Sequence, residues 1–223
     1  MILISLNLQA KTLRVLEIDT GISLSHQEIT DHIDFSNFNR ADYIDDHPIS
    51  HGTHIAGLIV KDTCKQVELI SCKYFFQNTS QDVIRNEINC FKRALTLNID
   101  VINYSSYGYS YVKEEYELLK QLRDKNIIII TSAGNEGNDI SLKRNRRYLS
   151  GYDLSNIIVV GNLEANGIKN PTSNYGFPGM KWELGTDIYS TLANGKFGYL
   201  TGSSQATAIH TNKWLKKKCL ELN

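Results

Sequence analysis

The chain has 223 residues, 24 Lys and Arg against 24 Asp and Glu, and therefore a formal net charge of zero; 41% of it is hydrophobic and 22% charged. That composition excludes a disordered or fibrous chain, and the charge balance gives no overall pull toward nucleic acid or an anionic membrane. The length suits one α/β domain over residues 1–223 that buries its core without staples, and no apolar run of about 18 residues occurs that would span a membrane.

Met1–Ala10 lacks a basic n-region, and Ser5 and Asn7 break its short apolar stretch, so no secretory signal is expected and the expected address is the cytoplasm. Leu13–Ile18 then reads as a strand, ended by Asp19-Thr20-Gly21. Val67–Phe75 alternates with apolar residues on both faces, which suits a strand covered on two sides. From Gln81 to Leu97, Ile84, Ile88, Phe91 and Leu95 fall on one helical face. Val101–Ser105 is a third strand, and Glu114–Lys125 an amphipathic helix with Leu118, Leu119 and Leu122 inward. The β-branched runs Ile127–Ile130 and Asn156–Val160 have the signature of strands inside a parallel sheet. Gln205–Leu220 reads as a last helix, closing in Lys216-Lys217-Lys218, which favours the negative end of the helix dipole. The four cysteines (Cys64, Cys72, Cys90, Cys219) form no CxxC pair, so scattered buried thiols are expected rather than bridges.

Strand and helix alternate in the rhythm of a mainly parallel sheet flanked by helices. Ligands of such sheets sit outside the carboxyl ends of the strands. There lie Asp19, Ser105 and Ser132-Ala133-Gly134-Asn135. Four motifs follow in order: Asp19-Thr20-Gly21, His51-Gly52-Thr53-His54, Ala133-Gly134-Asn135-Glu136-Gly137 and Gly202-Ser203-Ser204-Gln205-Ala206. An acid, an imidazole, an amide and a glycine-flanked serine are the parts needed for acyl transfer. The serine needs a base to take its proton, the base needs a carboxylate to fix its tautomer, and the developing oxyanion needs a donor. Taken singly the motifs are ambiguous. Asp-Thr-Gly is often a turn, His-x-x-His could hold a metal although no third ligand is visible, and spacing does not choose between Ser203 and Ser204.

In this order, with 32 positions from Asp19 to His51, the motifs resemble those of the subtilisin-like serine proteases, the subtilases. The likeness runs from about Leu13 to His210. Ser173–Gly176 looks like the family's loop before the late strands, and Gly195–Leu200 like the hairpin leading to the nucleophile. The resemblance implies a three-layer subtilisin-like fold trimmed at the C-terminus, with Asp19 as triad acid, His51 as base and Ser204 as nucleophile. It makes Asn135 an oxyanion donor with the backbone N–H of Ser204, at the start of the last helix. Ser105, Ser106, Tyr107 and Gly108 would form a cleft edge that pairs the peptide as an added strand, and Ser132, Ala133 and Gly134 a wall of the S1 pocket. His54 would be a packed helix residue, and His26, His32, His47 and His210 structural. The expected activity is peptide-bond hydrolysis through an acyl-enzyme, on a peptide or protein substrate, with no cofactor, metal, nucleic acid or membrane involved. An intracellular processing role, such as peptide-precursor maturation, is expected; a peptide-binding pseudoprotease and a peptide ligase or cyclase are the alternatives.

Several positions depart from the family pattern. Asp19 lies so near the start that no signal or propeptide is expected, and the short passage after Val60 leaves no long calcium-binding loop. Only 19 residues follow Ser204, so a homodimer or partner protein would cover the trimmed edge. Gln205 and Ala208 replace the usual methionine and proline. Tyr107 stands where small residues are usual and would narrow the groove. Lys143-Arg144-Asn145-Arg146-Arg147 reads as a solvated loop; the sharper expectation is that Arg146 or Arg147 pairs an acidic substrate side chain, opposed by Glu136.

Overall fold

The β-branched runs form strands because both faces of each are covered. In this computed structural model, which describes residues 11–37, 39–75 and 80–222 (side chains of residues 37 and 80–82 excepted), they make one six-stranded sheet. The strands are β1 (Leu13–Asp19), β2 (Val67–Lys73), β3 (Val101–Tyr104), β4 (Ile128–Ser132), β5 (Ile157–Leu163) and β6 (Lys181–Leu184). All pairs are parallel, in the order β2-β1-β3-β4-β5-β6. The Met1–Ala10 segment, read for a targeting signal, lies outside the described residues.

Side chains alternate between two cores. Val15, Leu69, Val101, Ile130 and Val160 pack with Ile55 and Ile59 of α2 (His51–Val60) and Ala206 and Leu215 of α5 (Ser203–Glu221). Leu16, Ile18, Ile70, Ile102 and Ile129 pack with Ile88 and Phe91 of α3 (Ser80–Thr96) and Leu119 and Leu122 of α4 (Lys113–Asp124). The result is the expected three-layer α/β sandwich, completed by a short helix α1 (Gln27–Thr30) and a hairpin of β7 (Ile188–Leu192) and β8 (Lys196–Leu200) leading into α5. Among the described residues no helix is long and apolar enough to cross a membrane.

Two expectations need correction. On α3, Ile84 is 45% exposed, whereas Ile88, Phe91 and Ala94 are buried with Val83 packed beside them. The true stripe is therefore offset by one residue from the expected one at that end, and it takes in a buried carboxyl, Glu87. The cysteines are not free thiols: Cys64 bridges Cys219 and Cys72 bridges Cys90, with Cα atoms 6.0 and 5.8 Å apart. Tertiary packing makes both pairs. Cys64 follows α2 and Cys219 sits in the last turn of α5, 155 positions away, a proximity that local spacing does not encode.

Candidate active site

Asp19 ends β1 and is buried beneath the first turn of α2. Its Oδ1 accepts the Thr20 backbone N–H at 2.7 Å and lies 2.7 Å from His51 Nδ1. That contact places the imidazole proton on Nδ1 and leaves Nε2 as the free base. Gly52 permits this approach. A Cβ on it would stand 2.2 Å from the Gly21 carbonyl oxygen, and its N–H donates to Thr20 Oγ1 at 2.8 Å. Asp45 holds the same helix start, accepting from the Thr53 N–H and hydroxyl at 2.9 and 2.6 Å and from the Thr20 hydroxyl at 3.0 Å. Burial of His51 works against its protonation, but the Asp19 carboxylate outweighs it, and its pKa lies above the ordinary 6.5.

His54 is a packed helix residue. It is fully buried, Nε2 lies 3.0 and 3.3 Å from the carbonyl oxygens of Ile188 and Gly198, and burial lowers its pKa to about 4. With that nitrogen spent on the β7–β8 hairpin, the His-x-x-His pair does not converge on a metal.

The geometry separates the two serines that spacing could not. Ser203 is fully buried, and its N–H and hydroxyl both donate to Asn135 Oδ1, at 2.8 and 3.0 Å; the Gly134 N–H donates to its Oγ at 3.2 Å. Ser204 opens into a cleft that His51 and Asp19 also line. Its hydroxyl donates to the Ser105 carbonyl at 2.9 Å, and no hydrogen bond joins it to His51. A loose nucleophile–base contact is common in enzymes without substrate. Asn135 is exposed, and with Oδ1 engaged its Nδ2 makes no hydrogen bond among the described residues. The Ser204 N–H lies in the first turn of α5, where helix donors lack intrahelical partners. A relay fixes this helix start to β3: Thr211 donates to Asn103, Asn103 Nδ2 to Ser105 Oγ, and Ser105 Oγ to the Ser204 carbonyl, at 2.8, 3.0 and 3.0 Å.

The cleft encloses about 340 Å³, and its walls include Ser105, Ser106, Tyr107, His47, Tyr74, Phe75 and Tyr109. The expected peptide-pairing edge is shorter than Ser105–Gly108, because Gly108 already pairs with Tyr148 in both directions. The Ser106 carbonyl accepts the hydroxyls of Thr131 and Ser132, each at 3.1 Å. Tyr107 keeps both its N–H and its C=O free of hydrogen bonds among the described residues. Ser132, Ala133 and Gly134 are buried and do not line this cleft; the Tyr107 side chain stands between.

His26, His32 and His210 do hold structural contacts, with Leu192 O, Val67 O and the Glu183 carboxylate. His47 does not fit that reading. It lines the cleft four residues before His51, its ring 5.6 Å from that of Phe75, and burial followed by the neighbouring His51 lowers its pKa. The basic run also divides. Arg144 and Arg146 are exposed, but Arg147 is buried, with Nε 3.4 Å from Glu136 and its guanidinium 4.7 Å from the Tyr109 ring centre. Glu136 is thus the partner of Arg147, in place of the expected acidic substrate group. Sequence reasoning also missed Glu17, fully buried two residues before Asp19, with both carboxyl oxygens lacking a partner among the described residues.

A family model described as the Subtilase family matches residues 12–213. The chain is 28% identical over 214 residues to the "Major intracellular serine protease" of Bacillus subtilis, the match taking in 89% of this chain and 66% of that protein. It is 29% identical over 202 residues to "Subtilisin-like protease 3" of Plasmodium falciparum, 79% of this chain and 26% of the relative. The chain thus spans about two thirds of one relative and about a quarter of the other. In fold it is similar to the protease domain of PatA (TM-score 0.76, 18% identity, 96% of this chain and 83% of that one). It is also similar to a lanthipeptide protease (0.76, 19%, 92% and 72%) and to the prenylagaramide maturation protease PagA (0.74, 18%, 94% and 76%).

Proposed function

The chain belongs to the subtilase family, and from that premise we propose that it is a serine endopeptidase with the triad Asp19, His51 and Ser204. The observation that carries this is the 2.7 Å Asp19–His51 contact in a cleft that Ser204 also lines. In the proposed reaction the Ser204 hydroxyl turns from the Ser105 carbonyl and attacks the substrate carbonyl carbon as His51 Nε2 takes its proton. Asp19 holds the imidazolium. The oxyanion accepts from Asn135 Nδ2 and the Ser204 N–H. His51 returns the proton to the leaving amine, and water, activated by the same imidazole, hydrolyses the acyl-enzyme.

The proposed substrate is a peptide precursor undergoing maturation. Its support is the likeness in fold to a lanthipeptide protease and a prenylagaramide maturation protease. Cytoplasmic residence is supported by the intracellular Bacillus subtilis relative and opposed by the two cystines, which persist in oxidising compartments. Thiol trapping at lysis decides it: four reduced cysteines fit the cytoplasm, and two cystines refute it. A second copy or a partner protein covering the β6 edge is also part of the proposal, supported by the exposed Leu184 on that strand, with light scattering and co-purification as the readout.

Labelling with a fluorophosphonate probe tests the chemistry. Stoichiometric labelling of the wild type that vanishes in Ser204→Ala is expected. A well-folded wild type that does not label would favour a peptide-binding role, the reading to which the turned-away Ser204 hydroxyl would then belong.

A further inference from the structure

Tyr107 leaves the cleft edge and crosses toward the strand-end segment Ser132–Gly134. Its hydroxyl donates to Glu136 Oε1 at 2.5 Å. The same carboxylate accepts Asn174 Nδ2 at 2.6 Å on its other oxygen and the Tyr109 hydroxyl at 3.3 Å. Arg147 lies below, its guanidinium 5.9 Å from the Tyr107 ring centre. The crossing is tight. Gly134 has φ +100°, and a Cβ there would stand 2.4 Å from Asn174 Nδ2, 3.0 Å from Glu136 Oε2 and 3.3 Å from Tyr107 Cε1. Asn174 is in turn anchored by its Nδ2 donating to the Ala133 carbonyl at 2.9 Å. Burial alone would push the Glu136 carboxyl up, but these donors and Arg147 overcome it and hold it below its usual value, so the acceptor stays ionised at neutral pH.

The position of this crossing matters for the substrate. A peptide pairing with the free backbone of Tyr107, with its carbonyl carbon beside Ser204, sends the side chain preceding the scissile bond between the Ser105–Gly108 and Ser132–Gly134 segments. That space holds a phenol fixed at its far end. We propose that Tyr107, latched to Glu136, is the specificity-determining residue of this enzyme and restricts the residue before the scissile bond to glycine, alanine or serine. The inference rests on the endopeptidase reading above. It specifies a substrate with a small residue at the cleaved junction, and it gives Arg147 the task of holding the latch.

The test uses the full chain and a peptide library randomised at all positions, with cleavage products read by mass spectrometry. One batch each of wild type, Tyr107→Gly and Tyr107→Phe is titrated with the fluorophosphonate probe. For the wild type, bonds after Gly, Ala and Ser should be cut at least tenfold faster than bonds after Leu, Phe and Tyr. Tyr107→Gly should shift the large-to-small ratio by tenfold or more toward large residues. Tyr107→Phe, which keeps the ring and loses the latch, should fall between them. A labelled wild type that cuts after Leu or Phe as fast as after Gly overturns this inference alone, as does an unchanged ratio in labelled Tyr107→Gly. A wild type that neither labels nor cuts overturns the endopeptidase reading, and this inference with it. Should Tyr107→Gly fail to fold, the ratio in Tyr107→Phe decides.

Discussion

The Cys64–Cys219 bridge joins the segment after α2 to the last turn of α5, the two helices whose first turns hold His51 and Ser204. Removing it should destabilise the protein by an amount set by the loop it closes. A separation of 155 positions corresponds to about 17 cal/mol/K of denatured-state entropy on the chain-entropy relation, or about 5 kcal/mol at 25 °C. The Cys72–Cys90 bridge spans 18 positions, and the same relation gives about 3 kcal/mol. The two double variants, Cys64→Ser with Cys219→Ser and Cys72→Ser with Cys90→Ser, therefore differ in expected cost by about 2 kcal/mol. In equilibrium urea unfolding with a slope near 2.5 kcal/mol/M, the first should lower the midpoint by about 2 M and the second by about 1 M.

The order of the two is the discriminating result, because only the loop-length term makes the longer bridge worth more. A larger effect from the short bridge would show that local strain or packing at Cys72 and Cys90, next to buried Phe91, dominates and that the entropic reasoning fails. A prior control counts thiols in denaturant without reductant. Four free thiols in air-oxidised protein would remove the bridges themselves.

Other predictions test the site. Because Asp19 raises the His51 pKa above 6.5 and only neutral His51 acts as base, kcat/KM should rise with pH to a midpoint above that value. Asp19→Asn should lower the midpoint and reduce kcat by about 10⁴-fold; an unchanged midpoint in the variant would refute the assignment. Asn135→Ala should reduce kcat by about 10²–10³-fold with little change in KM, a scale taken from the equivalent donor in subtilisin itself, and a loss confined to KM would make Asn135 a binding group instead. Glu17, fully buried and raised well above 4.5 by burial and then by Asp19 and Asp45, keeps its proton where the unfolded chain has lost its own. The native state then binds more protons, so stability should fall as pH rises from about 4.3 toward the native pKa. Glu17→Val should flatten that slope and stabilise at pH 8 by about 1–3 kcal/mol; an unchanged slope in pH-dependent urea melts would count against it.

Much of this architecture was legible because its determinants are local. The β-branched runs at Ile127–Ile130 and Asn156–Val160 can be buried only between two layers, and they pair as neighbours β4 and β5. The leucines of α4 repeat at helical spacing and are buried as that spacing requires. Helix α2 was harder to delimit. Every residue from Gly52 to Val60 is buried, so it has no polar face to set a period. Distant contacts were invisible altogether. The Cys64–Cys219 pair, the approach of Arg147 to Glu136 within the β4–β5 connection and the placing of His47 in the cleft each arise from the way the chain folds back on itself, and no spacing along the chain encodes them. Tyr107 was identifiable as unusual by comparison with the family pattern, yet its latch needed Glu136 and Asn174 brought together by the fold.

The two helices that carry His51 and Ser204 place competing demands on one small space. Both α2 and α5 direct their N-termini toward the cleft, and each carries the positive end of a helix dipole. That end favours an oxyanion beside Ser204 but opposes the imidazolium forming on His51, the first residue of α2. The carboxylates answer the second demand. Asp19 touches the ring, Asp45 adds to the same effect from the α2 start, and together they overcome the burial that disfavours the charged ring. A third ionised carboxylate would add to the same effect and raise the His51 pKa further. Full burial, and then the nearby Asp19 and Asp45 carboxylates, push the Glu17 pKa well above its ordinary value and so favour its neutral form. In that form it occupies space behind the proposed triad without adding charge to it. Glu17→Asp, which shortens the acid and opens room for water, should ionise more readily and carry the His51 midpoint in the kcat/KM profile to higher pH. A midpoint that stayed fixed, with Glu17→Asp folded and labelled by the probe, would show that the triad does not sense the charge at this position.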